Sequence, residues 1–327
     1  MKDKLNYLYY LFKRNNWMLD PRLLFMNFES YHIDKPIFLL GNQGGGLTLL
    51  SRMLRRHNDI VNCTGNKSYW TGADELHAVY GPVLPFNLTG IIYKLPKHPI
   101  FNTQRSWSYA IDDSIDVYRK TEKDFNVEEK KKLEHLIKYF MYRFGNENSR
   151  FIDKSQIYTV RMSYIHALLK EYNPKFVLLT RNPYAEVFRS AKGPLPYSEI
   201  SSREEKLKYA AQHWNNSIKA VLEDKENNPE IDVLIVRFED LLQEPEKNLR
   251  KICKHVDLEF NEDMLPKPEH TVSFGSRITG RWYPLKPDIN KKYIGNISNE
   301  DIDIIHAICG ETAEKLGYYD TEMREKR

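Results

Sequence analysis

Cysteine is scarce in this chain: Cys63, Cys253 and Cys309 are the only three in 327 residues. An odd number without C-x-x-C spacing gives neither a disulfide framework nor a zinc cluster, and a reducing compartment fits best. Long apolar runs are missing too. No stretch of about 18 apolar residues occurs, so no transmembrane helix is expected. The N-terminus lacks the apolar core and small-residue cleavage site of a secretion signal, which makes a cytoplasmic location the expectation. Excess charge of one sign is also absent. With 49 basic and 45 acidic residues the net charge is +4, too little for a nucleic-acid binder, so any functional positive charge must be local. The length suits one large α/β domain better than two small ones.

What the chain has is a glycine loop between a strand and a helix. Pro36 to His57 reads PIFLLGNQGGGLTLLSRMLRRH. Ile37 to Leu40 suits a buried parallel strand, residues 41 to 46 hold four glycines, and Leu47 to Arg56 reads as a helix. Such a loop brings backbone N–H groups close to an oxyanion at a helix N-terminus. Two absences narrow its use. Gly46 is followed by Leu47 and Thr48, so the lysine of the nucleotide triphosphate loop is missing. The glycines also do not spell G-x-G-x-x-G, which makes a dinucleotide fingerprint poor.

Further strands are read at Asp59 to Cys63, at Phe151 and Ile152, at Lys175 to Thr180 and at Ile231 to Val236. Helices are read at Val127 to Phe144, Thr159 to Glu171, Glu204 to Glu223, Pro245 to Val256 and Asn299 to Leu316, the last capped by Gly317. Strands separated by helices imply a mainly parallel sheet covered on both faces, with ligands at the carboxyl ends of the strands. Lys175 to Thr180 runs into Arg181, where a magnesium-dependent NTPase would present an acidic residue; a guanidinium there suits a second anion. Lys4 to Phe28, rich in aromatics and leucine, reads as amphipathic helix packing on the domain, with docking on a membrane surface as the second reading. The stretch around Lys67, Tyr69, Trp70, Asp74, Glu75 and His77 has little apolar periodicity and is the candidate acceptor region. Gly193 to Ser202 is read as a loop over the cleft, and Trp214 as a core aromatic.

In this order the segments FLLGNQGGGLTLLSRMLRRH, DKS at 153 to 155, FVLLTRNPYAEVFRS, VLIVRFEDLLQEPEKNLRKICKHVDLEF, RWYPL and KKYIGNISNEDIDIIHAICGETAEKLGY resemble the sulfotransferases that use 3′-phosphoadenosine 5′-phosphosulfate (PAPS). The resemblance implies an α/β, three-layer P-loop-like fold. Its expected boundaries are an N-terminal helical extension at 1 to 35, a sulfotransferase-like domain at 36 to 320 with an acceptor-site insertion at 64 to 126, and a charged tail at 321 to 327. It implies that Gly44, Gly45, Gly46, Leu47 and Thr48 hold the 5′-phosphosulfate, that Arg181 and Ser190 grip the 3′-phosphate, and that Arg277 and Arg281, in a basic loop from Ser276 to Trp282, close over the adenine and the 3′-phosphate. PAPS is then the sulfate donor, no metal takes part, and the acceptor is a hydroxylated molecule, a glycan or glycan precursor, rather than a nucleic acid.

The chain departs from the family pattern twice. The family places Arg or Lys in the loop where this chain has Gly44, so the missing cation is expected from Lys154 first and from Arg52 second, one helical turn beyond Thr48. Ser190 lies nine positions after Arg181, against the family's common eight, and the eighth position is Arg189, which is read as a further phosphate contact. For the general base Glu75 is the first choice, followed by His77 and Asp74. A rival reading, a catalytically inactive relative that binds PAPS or a sulfated glycan, is motivated by Gly44.

Overall fold

The structure, a computed structural model, describes residues 20–64, 75–76, 96, 98–101, 108–192, 200–268, 271–274, 277–281 and 284–320. Five strands form one sheet: β1 (Ile37–Leu40), β2 (Ile60–Val61), β3 (Arg150–Asp153), β4 (Lys175–Thr180) and β5 (Val233–Arg237). Their order is β2-β3-β1-β4-β5, and every pairing is parallel. β1 stands at the centre, with Phe38 opposite Asp153 on one side and Phe176 on the other. The chain leaves β1 toward β2 and later crosses β1 to reach β4. That reversal opens a crevice at the carboxyl end of β1, where ligands bind in sheets of this kind.

Alternation along the strands builds two cores, because successive side chains point to opposite faces. Ile37 and Leu39 of β1 join Val177 and Leu179 of β4 on one face. They are covered there by helix α1 (Leu47–Leu54), by α6 (Phe238–Gln243) and by α7 (Pro245–His255). α1 places Leu47, Leu50, Met53 and Leu54 inward, each at most 4% exposed, and each contributes about 1.5–3 kcal/mol by leaving water. Phe38, Leu40, Phe176 and Leu178 point the other way. That face is covered by α2 (Val127–Phe144), α3 (Met162–Leu169), α4 (Pro183–Lys192), α5 (Arg203–Asn227) and α8 (Asn299–Lys315). The result is the expected three-layer, P-loop-like arrangement.

Where elements differ from the sequence reading, a specific hydrogen bond is responsible. β2 stops at Val61 because the Asn62 side chain accepts from Thr64 N at 3.1 Å and from Thr64 Oγ1 at 3.0 Å, folding the chain away from the sheet. The helix expected from Thr159 splits into a tight turn at Gln156–Val160 and α3. Thr159 Oγ1 is committed to Gly41, and Arg161 Nε donates to Tyr118 O at 2.7 Å. β5 starts two residues late because Ile231 N closes a turn onto Asn228 O. The basic segment expected as a loop forms an antiparallel hairpin instead, β6 (Thr271–Phe274) with β7 (Arg277–Arg281). Trp214 is a core aromatic, as expected, at 1% exposure.

Of the first expected segment, residues 1–19 lie outside the description. Arg22–Phe25 form one helical turn, and Asp20 anchors it to α2 by accepting from Tyr139 Oη at 2.9 Å and from Arg143 Nη1 at 3.2 Å. Residues 193–199, most of 64–126 and residues 321–327 also lie outside the description. No described helix is long and apolar enough to cross a membrane. The three cysteines are free and buried.

Candidate active site

The glycine loop leaves β1 at Gly41 and enters α1 at Gly46, at the crevice. Thr159 fixes its start: its hydroxyl accepts from Gly41 N at 2.8 Å and lies 3.2 Å from Gly41 O. Gly46, with φ +99, is the residue before α1; a Cβ there would run into the Phe238 ring, so only glycine fits. Leu47 puts its side chain into the core and leaves its backbone to the loop, while Thr48 is half-buried in the first turn of α1. The first N–H groups of a helix have no partner inside it, which makes this end of α1 an anion seat.

Two guanidinium groups flank the loop, both carried by the segment that follows β4. Asn182 caps α4 by accepting from Tyr184 N at 3.0 Å and Ala185 N at 3.4 Å, and Pro183 sets the first turn. Arg181 is 4% exposed. Its Nη1 donates to Gly44 O at 2.6 Å, and its Nε and Nη2 donate to Asn290 Oδ1 at 2.9 and 2.6 Å. Phe238 and Tyr293 lie within 5.1 and 5.6 Å of its Cζ, in range for attraction to the ring faces. Asn290 is oriented in turn by Glu239, whose Oε1 accepts from Asn290 Nδ2 at 2.6 Å and from Asn182 N at 3.0 Å. Burial lowers the pKa of Arg181, against the pull of the Glu186 carboxyl, and Arg189 adds to the lowering. Arg189 reaches the loop from two turns further along α4, and Ser190 beside it is half-buried.

A second cluster stands at the carboxyl end of β3. Because Asp153 lies opposite Phe38 in the sheet, the residues that follow it emerge on the same edge as the loop. Asp153 accepts from Leu76 N at 3.0 Å, Lys154 N at 2.9 Å and Ser155 Oγ at 2.6 Å. Burial nevertheless pushes its carboxyl up to about 7. Asp153 thereby pins residue 76 next to the strand, and Glu75 meets Lys154: Nζ donates to Glu75 Oε1 at 3.0 Å. Glu75 Oε2 is buried with no hydrogen-bond partner among the described residues.

The structure thus brings Gly44, Gly45, Gly46, Leu47, Thr48, Arg181 and Arg189 to one loop, and Lys154 and Glu75 to one pair. Arg52 is half-buried on α1, one turn beyond Thr48. His77 and Asp74 lie outside the described residues. Arg277 and Arg281 bound β7, and their side chains lie outside the description as well.

Four residues have no counterpart in the sequence reading. Asn290 and Glu239 hold Arg181, as described above. Asn42 is 5% exposed and neither side-chain polar atom has a partner among the described residues, an arrangement that costs about 1–3 kcal/mol unless a ligand satisfies it. Glu186 lies against Gly45, 3.6 Å from where a Cβ would stand. Its carboxyl is pushed up to about 8 by burial, although Arg181 and Arg189 pull the other way. Only Glu186 had a signal in the sequence, one helical turn before Arg189. Among the described residues no group of three or more His, Cys, Asp or Glu is placed to hold a metal ion.

A family model for the sulfotransferase family matches residues 36–262, from the strand before the glycine loop to beyond α7. Among curated proteins, a putative protein-tyrosine sulfotransferase of Caenorhabditis briggsae is 27% identical over 93 residues, 28% of this chain and 32% of that protein. The match therefore spans about a third of that relative's length. Among solved structures, the sulfotransferase STF9 of Mycobacterium avium superposes with a TM-score of 0.51 at 12% identity, covering 93% of this chain and 81% of that one; at this identity the likeness is one of fold. A mouse sulfotransferase solved in complex with PAP aligns over 91% of this chain and 90% of its own, with 13% identity and a TM-score of 0.44.

Proposed function

The chain belongs to the sulfotransferase family, and on that premise we propose that it is an enzyme moving a sulfuryl group from PAPS to a hydroxylated acceptor. The observation that carries the proposal is the pairing of a glycine anion loop, flanked by Arg181 and Arg189, with a buried Glu75 carboxylate that has one oxygen to spare. The loop fits a nucleotide phosphate without the lysine and metal-holding acid that nucleoside triphosphates require.

In the proposed reaction the acceptor oxygen attacks sulfur in line, the bond between sulfur and the 5′-phosphate oxygen breaks, and the acceptor proton passes to Glu75 Oε2. A sulfate ester and 3′-phosphoadenosine 5′-phosphate (PAP) leave. Lys154 holds Glu75 in place before transfer through the Nζ to Oε1 contact. Loop N–H groups meet the charge that grows on the leaving phosphate. Ser190 and Arg181 belong to the proposed 3′-phosphate grip, with Arg277 and Arg281 closing over the nucleotide, and Arg52 is held in reserve as a second cation beside Thr48.

The acceptor we propose is a glycan or glycan precursor, received by residues 64–126, where Tyr69 and Trp70 are residue types suited to a sugar ring and His77 and Asp74 are the next choices of base after Glu75. Residues 1–35 are proposed as an N-terminal extension of the domain, and the cytoplasm is the proposed location. Calorimetry with PAP and with 5′-AMP tests the donor assignment, because a site built for a 3′-phosphate loses a charge-assisted partner with plain AMP. PAP should bind at least about tenfold more tightly, with no need for magnesium. Equal affinities, or a strict magnesium requirement, would remove the assignment.

A further inference from the structure

Position 44 is where the resemblance puts a cationic side chain, and this chain offers none. The space that such a side chain would leave by is filled by another residue. A Cβ built on Gly44 would overlap the Arg189 guanidinium, standing 3.2 Å from Cζ, 3.9 Å from Nη2 and closer still to Nη1. Gly44 has φ +93, so its backbone and its surroundings both exclude a side chain. Arg189 comes from α4, across the crevice from the loop in sequence, yet its charged group rests on the loop at that residue.

The other cations nearby are already engaged. Arg181 divides its donors between Gly44 O and Asn290. Lys154 Nζ is held by Glu75. No hydrogen bond or salt bridge joins Arg189 to another described residue. The acid nearest along its helix is Glu186, one turn back, and burial pushes that carboxyl up to about 8. A carboxyl raised in this way carries less charge against the guanidinium than an ordinary glutamate would.

We propose that Arg189 supplies the loop's missing cation from α4, binding the 5′-phosphate of the donor, and that position 44 is glycine so that this guanidinium can lie on the loop. The inference rests on the sulfotransferase reading. It takes from Lys154 the role of cation against the leaving phosphate that the sequence suggests, and leaves Lys154 with Glu75. It also separates the two arginines of this segment. Arg181 braces the loop through the Gly44 carbonyl and stays with the 3′-phosphate grip, while Arg189 meets the 5′-phosphate with a planar fork suited to phosphate oxygens.

Titration calorimetry of PAP, 5′-AMP and 3′-AMP against the wild type, Arg189→Ala and Arg189→Lys decides the matter, since the three nucleotides separate the two phosphates. Arg189→Ala should weaken PAP and 5′-AMP by about tenfold or more and leave 3′-AMP within about twofold. Arg189→Lys should recover part of the loss. Weakening of PAP and 3′-AMP with 5′-AMP unchanged would assign Arg189 to the 3′-phosphate and overturn the proposal, and so would an Arg189→Ala variant that binds all three like the wild type. A wild type that binds no PAP would instead bring down the sulfotransferase reading itself.

Gly44→Ala in both backgrounds adds a check independent of the strain at φ +93, because that strain is common to both. The substitution should weaken PAP strongly in the wild type, by displacing Arg189, and much less in Arg189→Ala. Equal losses in the two backgrounds would contradict the proposal.

Discussion

Lys154 Nζ and Glu75 Oε1 stand 3.0 Å apart, with side chains 3% and 5% exposed. A pair so buried is asymmetric to mutation. Lys154→Ala leaves a carboxylate in the interior with no counter-charge, at a cost of about 3–5 kcal/mol, whereas Glu75→Gln keeps the volume and removes the charge that has to be compensated. We expect Lys154→Ala to lower the melting temperature more than Glu75→Gln does. Glu75→Gln should lower turnover by about a hundredfold or more while PAP affinity stays near the wild-type value. Near-normal turnover of Glu75→Gln would move the base to His77 or Asp74.

Arg181 is bound at both ends of its fork, to Gly44 O and to Asn290 Oδ1. Lysine cannot make both contacts at once. Arg181→Lys and Asn290→Ala should each weaken PAP, and the double variant should weaken it by less than the two effects combined, since Asn290 acts through Arg181. Fully additive losses in a double-mutant cycle would show that Asn290 acts on the nucleotide by another route.

Glu186 links folding to pH. Its folded carboxyl titrates near 8 against the ordinary 4.5, so between those values the folded state binds more protons than the unfolded one and stability falls as pH rises. The contribution is fully present below about pH 4.5 and is lost by the time pH passes about 8. Glu186→Gln, neutral throughout, should be more stable to denaturant than the wild type at pH 8.5, by on the order of a few kcal/mol, and the gap should narrow toward pH 5. A gap that is constant across pH, or widest at pH 5, would contradict the assignment.

Thr159 ties the loop to the core through Gly41 N at 2.8 Å. Thr159→Val keeps the shape and leaves that buried N–H without its acceptor, which should cost about 1–3 kcal/mol in denaturant unfolding. An unchanged midpoint would mean that the loop is anchored elsewhere.

β1, β4 and α2 are legible in the sequence to the residue, because Ile37–Leu40 and Phe176–Leu179 are unbroken apolar runs, the second flanked by Lys175 and Thr180, and Val127–Phe144 has one clear apolar stripe. The glycine loop is legible for a related reason: four glycines between a buried strand and an amphipathic helix have few other uses. What the sequence hides depends on long-range partners. β2 is cut short by the Asn62 side chain, and the expected helix at Thr159 is broken by bonds to Gly41 and Tyr118, contacts more than forty positions away in the latter case. Asn290 reaches Arg181 across 109 positions, and no local pattern marks it. The closeness of Arg189 to Gly44 is of the same kind, since only the fold brings α4 over the loop.

Transfer of labelled sulfate from PAPS is the most direct test of the account. The purified protein, without added metal, is incubated with labelled PAPS and a panel of glycans, tyrosine-containing peptides and small hydroxylated molecules, and acceptor-bound label is measured against PAP release. The account predicts label in at least one acceptor, in step with PAP formed and abolished by Glu75→Gln. A protein that binds PAP tightly yet moves label to no acceptor in the panel would contradict it and leave a nucleotide-binding relative without transferase activity.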